Sequence, residues 1–480
     1  MTKLLPFGAI SAALALAPAG ASLAQNRSVA PQSDQERLDA RYDRALAAGY
    51  KALFLCSAMA NAEANGAART PESVHEWELT GIYPKLDPII RDLPYEIVRR
   101  PTGQIAHVQV EWAEDAPDRL ARYYGRDTGC SVMSIGAPES VSNASAPVPQ
   151  ASDSDTATVK VMEPQSPPKT MNRALDAVLG KAFAQSYGEG RTTAVLVRQL
   201  ADGEVVLQSA LYAPGFTAKT PQRTWSVAKS IASTLVGMAV LSREHAVDDP
   251  VGLNVWNSGG AADQRSGITI DHALRMATGR YSDTPGNRTD PIYWGGSTID
   301  EYMTKWPMIH APGTVFRYAN NDTLLAVKAI DQYLYYYTPA ALLARIGMTD
   351  TVIETDWKGG YVLSSQVWST APDLANLGEL YLRGGVWDGE RLLPEDWRDY
   401  VSKPSGPQPE GSPWGYGAGW WLMNRSDGVP SDTFAAFGNR GQYVVVVPSR
   451  NVVIVRRGEN MVGTRFDIAA FTKDVLAALE

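Results

Sequence analysis

Apolar residues recur at helical spacing across residues 34–65. Leu38, Tyr42, Ala45, Leu46, Tyr50, Leu53 and Phe54 form a stripe with Arg, Asp and Glu between them, the signature of a half-buried helix. Short strands are predicted next at 95–98 and 105–110, the second alternating apolar and polar. Residues 119–124 and Gly129-Cys130 close this small α+β unit. There the periodicity stops. Residues 136–169 are rich in Ala, Pro, Ser, Asp and Thr with no apolar repeat, as a linker would be. A second domain begins at Met171, with a helix over 171–184 and strands over 193–200 and 204–212 joined at Asp202-Gly203. Helices and loops fill the chain to about residue 400. A further hairpin is predicted from 434–447 and 452–457, turned at Pro448-Ser449-Arg450-Asn451, and an amphipathic helix over 464–479 ends the chain. Strands at both ends of a domain with a helical insertion between them predict an α+β fold, its antiparallel sheet closed by the first and last segments.

The first residues change the picture of where the protein works. Lys3 precedes a mostly apolar stretch over 4–16, and Ser22-Leu23-Ala24 ends in small residues, the layout of a signal peptide over residues 1–24. The expected divisions are therefore a signal peptide, a small N-terminal domain over 25–135, a linker over 136–170 and a main domain over 171–480. Cleavage near Ala24 would give a periplasmic or secreted protein without a membrane span, since no later stretch is long and apolar enough. The only cysteines are Cys56 and Cys130. Export favours a disulfide between them, and two buried thiols are the alternative. A net charge of -8 without a Lys/Arg stripe argues against nucleic acid or anionic membrane as a partner. The 5 histidines (His75, His107, His245, His272 and His310) and 2 cysteines show no metal-ligand spacing. Neither metal nor other cofactor is expected.

The candidate chemistry lies in Thr224-Trp225-Ser226-Val227-Ala228-Lys229, which opens a run over 230–241 that is small or apolar almost all round. Such a helix is buried on every side. A lysine in its first turn is unfavourable without a partner or a purpose. Residues three apart share a helix face, so Lys229 reaches Ser226, and burial favours the neutral amine that can accept the serine proton. A second Ser-x-x-Lys, Ser166-Pro167-Pro168-Lys169, is structurally empty because two prolines forbid the helical turn. Downstream, Tyr318 and Asn320 follow a Pro312-Gly313 turn. Tyr318 is suited to relay a proton to the leaving group, and Asn320 to hold Lys229 or a substrate carbonyl. Asn439, Arg440, Gly441 and Gln442 mark a third segment, where glycines permit close substrate approach and the Gln442 N–H is placed to complete an oxyanion hole. A packed tyrosine and a plain β-bulge are the structural alternatives at these two places.

These three elements, in this order, resemble the serine β-lactamase and penicillin-recognising superfamily, specifically its class C branch and its esterases and 6-aminohexanoate-oligomer hydrolases. Ala277-Thr278-Gly279, Ser364-Ser365-Gln366-Val367, Gly385-Val386-Trp387-Asp388-Gly389 and Gly441-Gln442-Tyr443-Val444 extend the resemblance over roughly residues 171–480. It implies an antiparallel sheet of five or more strands with helices on both faces, a mostly helical subdomain, and an active site between them. The implied activity is cleavage of a small-molecule ester or linear amide through an acyl-enzyme on Ser226. A β-lactamase or D-amino-acid peptidase with the same residues is one alternative; a non-hydrolytic sensor or binding protein is another. Where β-lactamases carry Lys-Thr-Gly, this chain has Asn439-Arg440-Gly441. That departure disfavours β-lactams unless Arg440 takes over a substrate carboxylate. Aromatic residues around Tyr281, Tyr293, Trp294, Trp414, Tyr416, Trp420 and Trp421 either line the cleft or pack the core.

Overall fold

The computed structural model describes residues 33–137, 172–257, 263–283 and 289–480. The expected signal peptide over 1–24, nearly all of the expected linker over 136–170 and the predicted helix start at Met171 lie outside the described residues. Contacts divide the chain after Arg41. The first unit contributes the exposed opening turns of the helix Asp34–Ala64. The second, Tyr42–Glu480, is compact.

Its centre is a seven-stranded antiparallel sheet. In spatial order the strands are Gly415–Tyr416, Trp421–Leu422, Phe434–Gly438, Gln442–Val447, Val452–Gly458, Thr192–Ala201 and Glu204–Tyr212. The first and last segments of the domain thus meet in mid-sheet, where Ile454 pairs with Val197. Central strands are buried on both faces and read as continuous apolar runs. Val444, Val446, Val453 and Val455 face one core, which includes the helices Ala228–Leu241 and Ala371–Leu382. Val445, Val447, Val452 and Ile454 face the other, under the helices Arg173–Phe183 and Ile468–Ala478. The last helix begins later than its periodicity predicts because Asp467 caps it, accepting from the Ala470 N–H at 3.0 Å.

One predicted element is corrected. Residues 434–447 are not a single strand but two antiparallel ones, broken at Asn439–Gly441. Arg440 and Gly441 adopt left-handed φ values of 58° and +83°, the conformation a three-residue hairpin turn requires. A run of strand-forming residues conceals such a turn when the residue turning is an arginine.

The N-terminal part of the unit carries its own four-stranded sheet, ordered Tyr95–Arg99, Ile105–Val110, Arg119–Gly125 and Gly129–Val132. It is joined to the helix Asp34–Ala64 by a Cys56–Cys130 disulfide with Cα atoms 6.2 Å apart. Buried Glu354 accepts hydrogen bonds from Ser57, Asn61, the Cys130 N–H, Gln366 and Trp368. Glu354 thereby ties that helix to a small sheet of Gln222–Arg223, Val367–Ser369 and Val352–Ile353. The strand Gln222–Arg223 leads directly into Ser226.

Candidate active site

Ser226 lies in a 3-10 turn, Trp225–Val227, that runs into the helix Ala228–Leu241. The approach is anchored by the Thr224 N–H, which donates to Val367 O at 2.8 Å. Trp225 has φ 50°, a left-handed conformation that is unfavourable for a bulky residue and persists only when its surroundings over-determine it. They do so here. The Arg223 guanidinium lies 3.8 Å from the Trp225 ring centroid and Phe54 packs edge-on at 6.2 Å. The strained backbone turns Ser226 outward, so that it is partly exposed between buried neighbours.

Lys229 is 1% exposed. Its Nζ lies 3.1 Å from Ser226 Oγ, 2.7 Å from Asn320 Oδ1 and 2.8 Å from Ser364 O. Burial lowers the amine to about 7 against the weaker opposing pull of Asp283. Near neutral pH an appreciable share of Lys229 is therefore uncharged, as a base acting on the serine hydroxyl must be. Asn320 begins the helix Asn320–Ala329 and is oriented by its second hydrogen bond, from Nδ2 to Thr289 Oγ1 at 3.1 Å. Tyr318 stands over the same pair, its ring centroid 5.0 Å from Lys229 Nζ. Burial pushes its phenol up to about 12, partly offset by a hydrogen bond with Ser226. Tyr318 thus stays protonated where Lys229 titrates. The arrangement sets a group that can lose its proton near 7 beside one that keeps its own.

The third segment behaves differently. Gly438 runs close under the serine turn: a Cβ there would come within 2.3 Å of Thr224 O. Asn439 follows it and is exposed. Arg440 is buried and bonded to the carbonyls of Trp77, Glu78 and Asn460, so its guanidinium is not free to grip a substrate carboxylate. Gln442 is fully buried, its side chain donating to Gly458 O and accepting from Arg457 Nε. A Cβ at Gly441 would collide with Arg456 and Asn460.

Sequence reasoning missed two contributors. The Ser364 carbonyl holds Lys229, a role that the sequence of its segment does not signal. Fully buried Arg457 donates to Ser369 O, Gln222 O and Arg223 O at 2.6, 2.8 and 3.1 Å. It ties the central sheet to the strand that precedes the serine. An arginine late in a predicted strand gives no such signal either. Of the aromatic residues, Tyr293, Tyr416 and Trp420 are core, and Trp294 packs on Tyr42. Half-buried Trp421 lies 5.5 Å from Tyr318, centroid to centroid.

The Beta-lactamase family model matches residues 179–479. No curated protein gives a significant match. Among solved structures, a putative 6-aminohexanoate-dimer hydrolase from Bacillus anthracis aligns with TM-score 0.51 and 18% identity, over 63% of this chain and 81% of its own. A putative beta-lactamase from Bacteroides dorei DSM 17855 aligns with TM-score 0.51 and 18% identity, over 65% of this chain and 99% of its own. These likenesses concern the fold. Residues 42–137 lie outside the family match.

Proposed function

The chain belongs to the beta-lactamase family, and from that premise we propose that it is an exported serine hydrolase cleaving an ester or linear amide through an acyl-enzyme on Ser226. The carrying observation is a buried amine 3.1 Å from a partly exposed serine hydroxyl, with burial lowering the amine to about 7. Ser226 Oγ attacks the substrate carbonyl carbon and its proton passes to Lys229 Nζ. Tyr318 relays a proton to the leaving group, and Asn320 holds the amine in place. A water then attacks the acyl-enzyme carbonyl, losing a proton to the same base, and Ser226 leaves with its proton restored.

The tetrahedral oxyanion needs two donors about 3 Å away. The Ser226 N–H, at the start of a helix, is one. For the second, the sequence points to Gln442, but the close approach of Gly438 to Thr224 favours the N–H of the next residue, Asn439. Engagement of Arg440 elsewhere leaves that turn without a free cation and favours esters and linear amides over β-lactams. One structural neighbour, the putative 6-aminohexanoate-dimer hydrolase, supports the inclusion of amides. The Cys56–Cys130 disulfide supports export, because such bonds persist in oxidising compartments.

Turnover of a p-nitrophenyl ester by the wild type and by Ser226→Ala tests the assignment. Hydrolysis should vanish in the variant; equal rates would end the proposal. A panel of short esters, linear amides, nitrocefin and D-alanyl peptides then fixes the substrate class, with nitrocefin expected to be the poorest.

A further inference from the structure

Arg440 lies in the turn that follows Gly438, yet its guanidinium is bonded to residues 77–80, Glu459 and Asn460. Its backbone is left-handed, φ 58°, a region that L side chains rarely adopt. Its guanidinium donates to Glu78 O at 2.7 Å, Trp77 O at 2.8 Å and Asn460 O at 3.2 Å, and also to Thr80 O. Glu459 adds a buried ion pair at 3.1 Å. Trp77 and Glu78 end the helix Pro71–Trp77, where carbonyls lack intrahelical partners. A planar fork reaching several carbonyls at once is what arginine supplies and lysine does not.

The accepting segment is itself fixed. Glu78 forms a fully buried two-pronged pair with Arg69, both contacts at 2.7 Å. The Arg191 guanidinium covers the Trp77 ring at 4.3 Å. Gly81 lies so close to Met461 that a Cβ would come within 2.7 Å of its sulfur. On the turn's own side, the Asn460 N–H donates to Arg440 O at 3.0 Å and Asn439 Oδ1 accepts the Arg440 N–H at 2.9 Å. Arg440 therefore links a fixed N-terminal segment to Gly438–Asn439, where Gly438 runs against Thr224 O.

We propose that residues 77–80, acting through Arg440, hold the Gly438–Asn439 backbone at the height the oxyanion requires, so that Arg440 is a positioning residue for hydrolysis and the N-terminal segment completes the active site. This rests on the site assignment made above and gives a role to residues outside the family match. Loss of the link would weaken transition-state stabilisation while leaving ground-state binding largely intact.

The test compares Arg440→Ala with wild type on a p-nitrophenyl ester and on a fluorophosphonate, whose tetrahedral adduct presents its oxygen to the same donors. Removal of one oxyanion donor lowers kcat by about 10²–10³, and displacing one should lower it by about 10- to 100-fold. KM should stay within about twofold, and phosphonylation should slow by the same factor as kcat. Arg440→Lys should recover only part of the loss. A merely structural residue would lower the folded fraction and leave the kinetics of the folded enzyme unchanged. Folded Arg440→Ala with wild-type kcat and phosphonylation rate overturns the proposal. If Arg440→Ala does not fold, Arg440→Lys and Glu459→Gln carry the test, and wild-type kcat in both overturns it. An active Ser226→Ala would remove the site assignment itself, whereas an inactive Ser226→Ala with unaltered Arg440 variants removes only the role of Arg440.

Discussion

Lys229 and Glu354 are two buried ionisable groups treated alike by their surroundings and used in opposite ways. Burial moves each toward its neutral form, the amine down to about 7 and the carboxyl up to about 7. Each is surrounded by hydrogen-bonding groups, with no ion pair formed by either among the described residues. Glu354 collects donors from the helix Asp34–Ala64, from Cys130 and from the strand segment that holds Gln366 and Trp368, and all of them are buried. Lys229 has two partners that are partly exposed, Asn320 and the Ser226 hydroxyl, and the second is a nucleophile. A perturbed pKa therefore identifies burial, and only an opening to solvent beside a nucleophile makes it a candidate for chemistry. Glu354 is a fastening between distant segments; Lys229 is the candidate base.

Substitutions should separate the two roles cleanly. Ser226→Ala, which removes the group Lys229 serves, should lower kcat by about 10⁴-fold or more at unchanged stability, measured by ester turnover and thermal melting. Glu354→Ala strands several buried donors, each worth about 1–3 kcal/mol when left unpaired. It should lower stability by about 3 kcal/mol or more in chemical denaturation, with kcat of the folded protein within about twofold of wild type. A comparable fall in kcat would mean that the fastening reaches the chemistry. Tyr318→Phe keeps the ring against Trp421 and removes the hydroxyl. A proton relay is worth about 10²-fold or more in kcat, with little change in KM. The smallest effect is that of pH. Lys229 ordinarily holds its proton to 10.5 and here releases it near 7. Activity should therefore be lost as pH falls through about 7 and persist above it, because the Tyr318 phenol keeps its proton until about 12.

What the sequence reveals follows the range of the interactions involved. The Ser226–Lys229 pair is local, three residues apart in a run apolar on every side, and its geometry needs only a turn of helix. The central strands are readable because burial on both faces leaves a continuous apolar signature in 442–447 and 452–457. Tyr318 and Asn320 are candidates because the order of elements resembles a known family. By contrast, the turn at Asn439–Gly441 is hidden, since Arg440 assumes a conformation that glycine or asparagine usually signals. Arg440, Arg457 and Glu354 are charged residues whose burial depends on partners 100 or more residues away, or on the far side of a sheet. Side-chain periodicity carries no trace of such partners.

The central claim is that a neutral Lys229 activates Ser226, and the pH dependence of fluorophosphonate labelling, followed by intact mass and peptide mapping between about pH 5 and pH 10, tests it most directly. A single adduct on Ser226 should form with a rate that rises through a midpoint near 7 and then holds level, and Lys229→Met should abolish that rise. An adduct on another residue, or a rate that ignores pH and survives Lys229→Met, would contradict it.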